Sequence, residues 1–81
     1  MDQAQTEAIN DYRRALTCVL VYSAEGEKNA DLRRAIQDKH YEAQLEVERH
    51  PGLDRSAEYR TAVLGAENDA KQLSAHRLRA A

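Results

Sequence analysis

The chain has 81 residues, and its 12 Lys and Arg side chains nearly balance 14 Asp and Glu side chains, for a formal net charge of −2. Bulky aliphatic side chains are scarce, since eight Leu, two Ile and four Val stand beside 14 Ala, without any Phe or Trp. This length predicts one domain with a small core. The balanced charge gives no reason to expect a nucleic-acid or anionic-lipid partner, which normally requires a basic face, and no apolar run approaches the roughly 20 residues of a membrane span.

Residues 3–24 predict a first helix, because its apolar side chains recur with helical spacing. They occupy an arc of about 160° on a helical wheel: Ala8, Ile9, Tyr12, Ala15, Leu16, Val19, Leu20 and Tyr22. Val21 falls on the opposite, polar side, and Cys18 borders the arc. The apolar neighbours of Cys18 predict a buried thiol and not an activated thiolate. A strand over 17–22 is the alternative, but the chain offers no second strand-like run to pair with it.

A break is predicted near Gly26. The segments DYRRAL (11–16) and DLRRAI (31–36) start 20 residues apart, so on one straight helix their apolar faces would differ by about 200°. A break lets both faces point to one core. The alternative is a long helix that continues through Gly26, with residues 55–78 folded back on it as a helical hairpin that dimerises.

Residues 29–49 predict a second helix with two distinct surfaces. Its core side carries four apolar side chains: Leu32, Ile36, Ala43 and Val47. Tyr41 and Leu45 lie nearly opposite this side, next to Arg34. Such side chains either cover their own helix or belong to an interface, where Tyr and Arg are enriched.

Pro51 and Gly52 end the second helix, and residues 55–78 predict a third. One side of that helix collects small and apolar side chains: Tyr59, Ala62, Val63, Ala66, Ala70 and Leu73. Gly65 lies off this stripe, without an evident packing or capping role. Three helices of similar length with short connections predict a single all-α domain, a small antiparallel three-helix bundle.

Candidate chemistry is sparse in this sequence. Glu46 and His50 have the spacing of two ligands on one helix face, and His40 and His76 could complete a site, but that spacing is common. The chain has no Cys pair and no HExxH motif. We therefore expect no catalytic residue, no metal and no cofactor, and a protein that is not an enzyme.

Two arginine pairs, Arg13–Arg14 and Arg33–Arg34, support an alternative function as a nucleic-acid-associated accessory or regulatory protein. Acidic residues stand two or three positions from each pair, which favours salt-bridged, solvated arginines. Nucleic acid is accordingly not the expected partner.

The leading hypothesis is a non-enzymatic protein–protein interaction module, an adaptor, inhibitor or assembly subunit that acts through helix faces. The small core favours self-association, with a dimer as the expected state. The candidate interface residues are Val21, Cys18, Arg34, Tyr41 and Leu45. A single cysteine and an N-terminus without signal-peptide features predict a cytoplasmic protein that does not bind membranes.

Overall fold

A computed structural model describes residues 1–26 and 28–80, and side-chain surroundings are described for 1–23, 26 and 28–75. Three helices follow one another: α1 (Gln3–Glu25), α2 (Ala30–Glu48) and α3 (Ala57–Ala80), with a short 3-10 turn at Leu53–Arg55 before α3. The predicted three-helix bundle is confirmed. Neither the long hairpin nor a strand over 17–22 occurs.

Gly26 ends α1. Its backbone adopts the left-handed conformation, with φ of 66°, and its N–H donates to the carbonyl oxygens of Tyr22 and Ser23. A residue with a Cβ resists this conformation by about 1–2 kcal/mol, so glycine defines where the helix stops. Asn29 then starts α2, because its side-chain oxygen accepts a hydrogen bond from the backbone N–H of Leu32 at 3.1 Å. The predicted break at Gly26 is confirmed.

Helix α1 is the central element. It packs against both α2 and α3, whereas α2 and α3 make almost no direct contact with each other in the part of the chain that is described. Tyr12 shows this arrangement, because its ring lies 5.5 Å from the His40 ring of α2 and 5.1 Å from the Tyr59 ring of α3, measured between ring centroids. Both outer helices therefore depend on α1 for most of their packing.

The main buried cluster lies at one end of the bundle. It combines the first half of α1, the last half of α2, the 3-10 turn and the start of α3: Ala8, Ile9, Tyr12, Ala43, Val47, Leu53 and Ala62. Towards the other end, Leu16, Val19, Leu20 and Ile36 are only half-buried. Leu32 and Leu73, which the periodicity assigns to the core, are 38 % and 48 % exposed. Packing is thus less complete away from the main cluster, although Val21, Ala66 and Ala70 are buried there.

The structure corrects the predicted position of Val21 on the solvent-exposed side of α1. Val21 is buried, with 4 % exposure, although it lies on the side of α1 predicted to be polar. Arg13 and Thr17, at four-residue spacing before it, are half-buried on the same side. Because α1 has a neighbouring helix on two sides, its buried surface extends beyond the apolar arc and includes this stripe. Val21 is not available to a partner protein and leaves the candidate interface.

Gly65 has a role that the sequence did not reveal. Arg13 of α1 reaches across α3 to Asp69, where its Nη2 and Nε atoms donate to the same carboxylate oxygen at 2.9 and 3.1 Å. A Cβ atom on Gly65 would come within 2.7 Å of the Arg13 guanidinium carbon. Glycine therefore leaves the space through which Arg13 passes to its partner.

This geometry predicts coupling between Arg13 and Gly65. Alanine favours a helix interior by about 1 kcal/mol over glycine, so Gly65→Ala should stabilise an Arg13→Ala protein by roughly that amount. In the parent protein the gain should largely disappear, because the new methyl group displaces the guanidinium from Asp69. Urea unfolding of the four proteins in this double-mutant cycle measures the difference. An equal gain in both backgrounds would contradict the packing described for Gly65.

Candidate protein-binding surface

Helix α2 is held by few buried side chains. Only Ala43 and Val47 of this helix are buried, and both lie in its C-terminal half. Its packing against other helices is almost entirely with α1 among the described residues. The side of α2 that faces away from α1 is therefore open to solvent along its length.

Four side chains define this surface, which we call the α2 outer face: Arg34, Tyr41, Leu45 and Glu48. Seven residues separate Arg34 from Tyr41 and Tyr41 from Glu48, and seven residues make about two helical turns, so the three side chains share a side. Leu45 follows Tyr41 by one turn. Tyr41 is 63 % exposed and Leu45 is 39 % exposed.

The α2 outer face contributes little to the fold. Within the described part of the chain, the side chains of Arg34 and Tyr41 have no hydrogen-bond or ion-pair partner. Glu48 accepts a single exposed hydrogen bond from Gln44 at 3.3 Å. An exposed tyrosine and leucine beside an unpaired arginine match the residue types that dominate interfaces.

The structure divides the five predicted interface residues into three groups. Arg34, Tyr41 and Leu45 lie together on the α2 outer face, and Val21 is buried. Cys18 is exposed, so the prediction of a buried thiol is wrong. Its side chain lies at the open groove between α1 and α2, so neither helix covers it. Glu48 was not predicted, although its seven-residue spacing from Tyr41 could have identified it.

Cys18 lines a groove of about 510 Å³ between α1 and α2. Apolar side chains in the lining are Ala15, Ile36 and Ala43, and charged ones of both signs surround them: Asp11, Arg14, Lys39, Glu42 and Glu46. Arg14 is already paired with Asp11 at 3.1 Å. This mixed lining does not select a ligand of one charge, and the groove defines no single ligand chemistry.

Tyr12 lies in a row of three rings with His40 and Tyr59. Burial raises the pKa of the Tyr12 hydroxyl well above its usual value, and the side-chain hydrogen bond and electrostatic interaction with Tyr59 add to this effect. The Nε2 atom of His40 is buried without a hydrogen-bond partner among the described atoms. The row packs α1 against both other helices, and at neutral pH the Tyr12 hydroxyl is uncharged.

Two further candidate sites come from the sequence: a metal site that includes histidines, and a nucleic-acid contact through the arginine pairs. Residues 1–23, 26 and 28–75 hold no group of three His, Cys, Asp or Glu side chains placed to bind a metal ion, and the His76 side chain lies outside this part. Arg13 and Arg14 are each paired with an acid, Asp69 at 2.9 Å and Asp11 at 3.1 Å respectively. One of the two arginine pairs is therefore already engaged within the chain.

Comparison with known proteins gives no indication of a function. No protein-family model matches the chain, and neither the curated proteins nor the solved structures include a significant match. None of the helices in the described residues is both long enough and apolar enough to cross a lipid bilayer.

Proposed function

We propose that this chain is a non-enzymatic protein–protein interaction module that binds through the α2 outer face and also self-associates. One observation carries the proposal: Tyr41 and Leu45 are 63 % and 39 % exposed on one side of a helix, beside an arginine without a partner in the described chain. Large apolar side chains held in water without a role in the fold favour a surface that a partner covers.

The incomplete packing of the bundle supports the same proposal. Apolar side chains of all three helices are half-buried or exposed away from the main cluster, including Leu20, Leu32 and Leu73. A chain of this size gains little net stability from its own core, so association adds stability by mass action. We assign the protein to the adaptors, inhibitors or assembly subunits of the cytoplasm, where a single unpaired cysteine is compatible with the reducing conditions.

Capture of partners from an extract of the native cells tests the α2 outer face. The tagged parent protein is compared with a Tyr41→Ala/Leu45→Ala variant and with Leu64→Ala, a matched control because Leu64 is 66 % exposed on α3. We expect the double variant to lose the specifically bound proteins, as quantified by mass spectrometry, and the control to keep them. Circular dichroism checks that all three proteins are folded.

Two results would contradict the proposal. One is a set of bound proteins that the double variant retains in full. The other is a parent protein that captures nothing above background and sediments as a monomer at every concentration tested.

A further inference from the structure

We infer that the partner of the α2 outer face is a second copy of this chain, docked with its α2 antiparallel and with a two-fold axis passing at Tyr41. This inference rests on the proposed function and adds the identity of the partner and the register of the contact. It follows from the order of charges along the face and from the position of its aromatic side chain.

The charges on the face are arranged symmetrically about Tyr41. Arg34 lies seven residues before it and Glu48 seven residues after it. An antiparallel copy centred on Tyr41 reverses this order, so each Arg34 lies beside the second copy's Glu48, and the contact is made twice. A parallel pair would instead place arginine beside arginine and glutamate beside glutamate, which is unfavourable.

Neighbouring registers are less favourable. An axis at residue 43 would bring Asp38 of one copy beside Glu48 of the other, and an axis at residue 38 would bring the two Asp38 carboxylates together. Opposed acids repel. Of these three registers, only the axis at Tyr41 joins Arg34 to Glu48 without bringing acids together, so the charge pattern favours it.

The apolar side chains occupy the centre of the same contact. At the axis the two Tyr41 rings meet, and aromatic pairs add about 0.5–1.5 kcal/mol beyond the area they bury. Leu45 lies one turn, about 6 Å, along the helix, within reach of the second copy's Tyr41 ring. The large exposed fractions of both side chains, 63 % and 39 %, decrease in the pair.

The contact predicted here is small. Helix α2 has 19 residues, about 28 Å of helix, and a pair of single helices buries an area at the lower end for specific interfaces. We therefore expect a reversible dimer with a dissociation constant in the micromolar range, and one that weakens as salt screens the Arg34–Glu48 contacts.

Charge reversal tests both the partner and the register. Arg34→Glu and Glu48→Arg are each made alone and together, and dimerisation is measured by sedimentation equilibrium at low ionic strength. Each single reversal creates two like-charge contacts and should raise the dissociation constant about tenfold. The double reversal restores opposite charges and should return it to within about threefold of the parent value.

Restoration of dimerisation by the double reversal requires Arg34 of one copy to contact Glu48 of a second copy. Arg34 and Glu48 are 14 residues apart on one helix, about 21 Å, so they do not meet within a chain. Both side chains are exposed, and circular dichroism checks that the variants fold. Tyr41→Ala should abolish the dimer and Leu64→Ala should leave it unchanged.

The outcomes separate this inference from the proposed function. A parent protein that stays monomeric to millimolar concentration overturns the inference, while capture of other proteins through Tyr41 and Leu45 would still support the proposed function. A dimer that depends on Tyr41 but is not restored by the double reversal also overturns the antiparallel register and leaves the α2 outer face as the contact surface. A dimer insensitive to every one of these substitutions overturns the inference, and the capture experiment with Tyr41→Ala/Leu45→Ala decides the proposed function separately.

Discussion

Replacing Tyr12 with alanine should lower the free energy of unfolding by about 3–5 kcal/mol, the range for removing a large buried aromatic side chain. Tyr12 is 6 % exposed and contacts rings from both other helices. Chains of this size have a total stability of only about 4–12 kcal/mol, so the variant should lose at least about a quarter of it. Thermal and urea unfolding followed by circular dichroism measure the effect.

Tyr41→Ala is the matched control for Tyr12→Ala. It makes the same chemical change at a side chain that is 63 % exposed, where substitutions usually alter stability by no more than about 0.5 kcal/mol. The comparison is made at a concentration low enough to keep the chain monomeric. Equal destabilisation by the two substitutions would contradict the central position of Tyr12.

The Tyr12 hydroxyl adds a pH dependence to this prediction. Its pKa is raised in the folded chain, mainly by burial, so the folded state holds the proton more tightly than the unfolded state. The stability that results from this difference in pKa is fully present below the unfolded-state pKa of about 10. It is lost as the pH rises through the folded-state pKa. Tyr12→Phe cannot ionise, so its stability should decline less steeply above pH 10 than that of the parent protein. Urea titrations at pH 8 and pH 11 test this difference.

Leu53→Ala should destabilise the chain by about 2–5 kcal/mol. Leu53 is 4 % exposed and belongs to the main buried cluster, and the 3-10 turn that carries it packs against both α2 and α3. These two helices make almost no direct contact within the described chain, and the main buried cluster that contains Leu53 connects them through α1 and the 3-10 turn. Removal of the Leu53 side chain leaves a cavity in this cluster.

Leu64→Ala is the matched control for Leu53→Ala. The same side chain is deleted from α3 where it is 66 % exposed, and its loss should change the free energy of unfolding by no more than about 0.5 kcal/mol. The free energies of unfolding of both variants are measured by urea unfolding. If each variant unfolds in a two-state transition, this free energy should fall with urea concentration at the same slope in both. A decrease below about 1 kcal/mol in the free energy of unfolding of Leu53→Ala would contradict the role given to Leu53 in packing the 3-10 turn against the helices.

The α2 outer face and the unequal packing of the bundle have a common origin. An outer helix that packs almost entirely on α1 needs only a narrow buried stripe, which Ala43 and Val47 supply. The rest of its circumference remains free to carry binding residues without a cost in stability. Substitutions of Arg34, Tyr41 and Glu48 therefore allow binding to be tested separately from folding.

Sequence patterns alone predict the helices, the break at Gly26 and the exposure of Tyr41 and Leu45. Each of these depends on local properties: the 3.6-residue period of apolar side chains, the left-handed conformation available to glycine, and the side of one helix on which a residue lies. Such properties are encoded within a few turns of chain. They are therefore accessible without knowledge of which elements pack together.

The burial of Val21, the exposure of Cys18 and the role of Gly65 follow from the way the helices pack together. A helical wheel shows which side chains share a side but not how many neighbours the helix has. Arg13, on the same side of α1 as Val21, needs the space above Gly65 to reach Asp69 of α3, 56 positions further along the sequence. Burial and exposure along α1 likewise depend on where the neighbouring helices lie, and local periodicity carries no information about such packing.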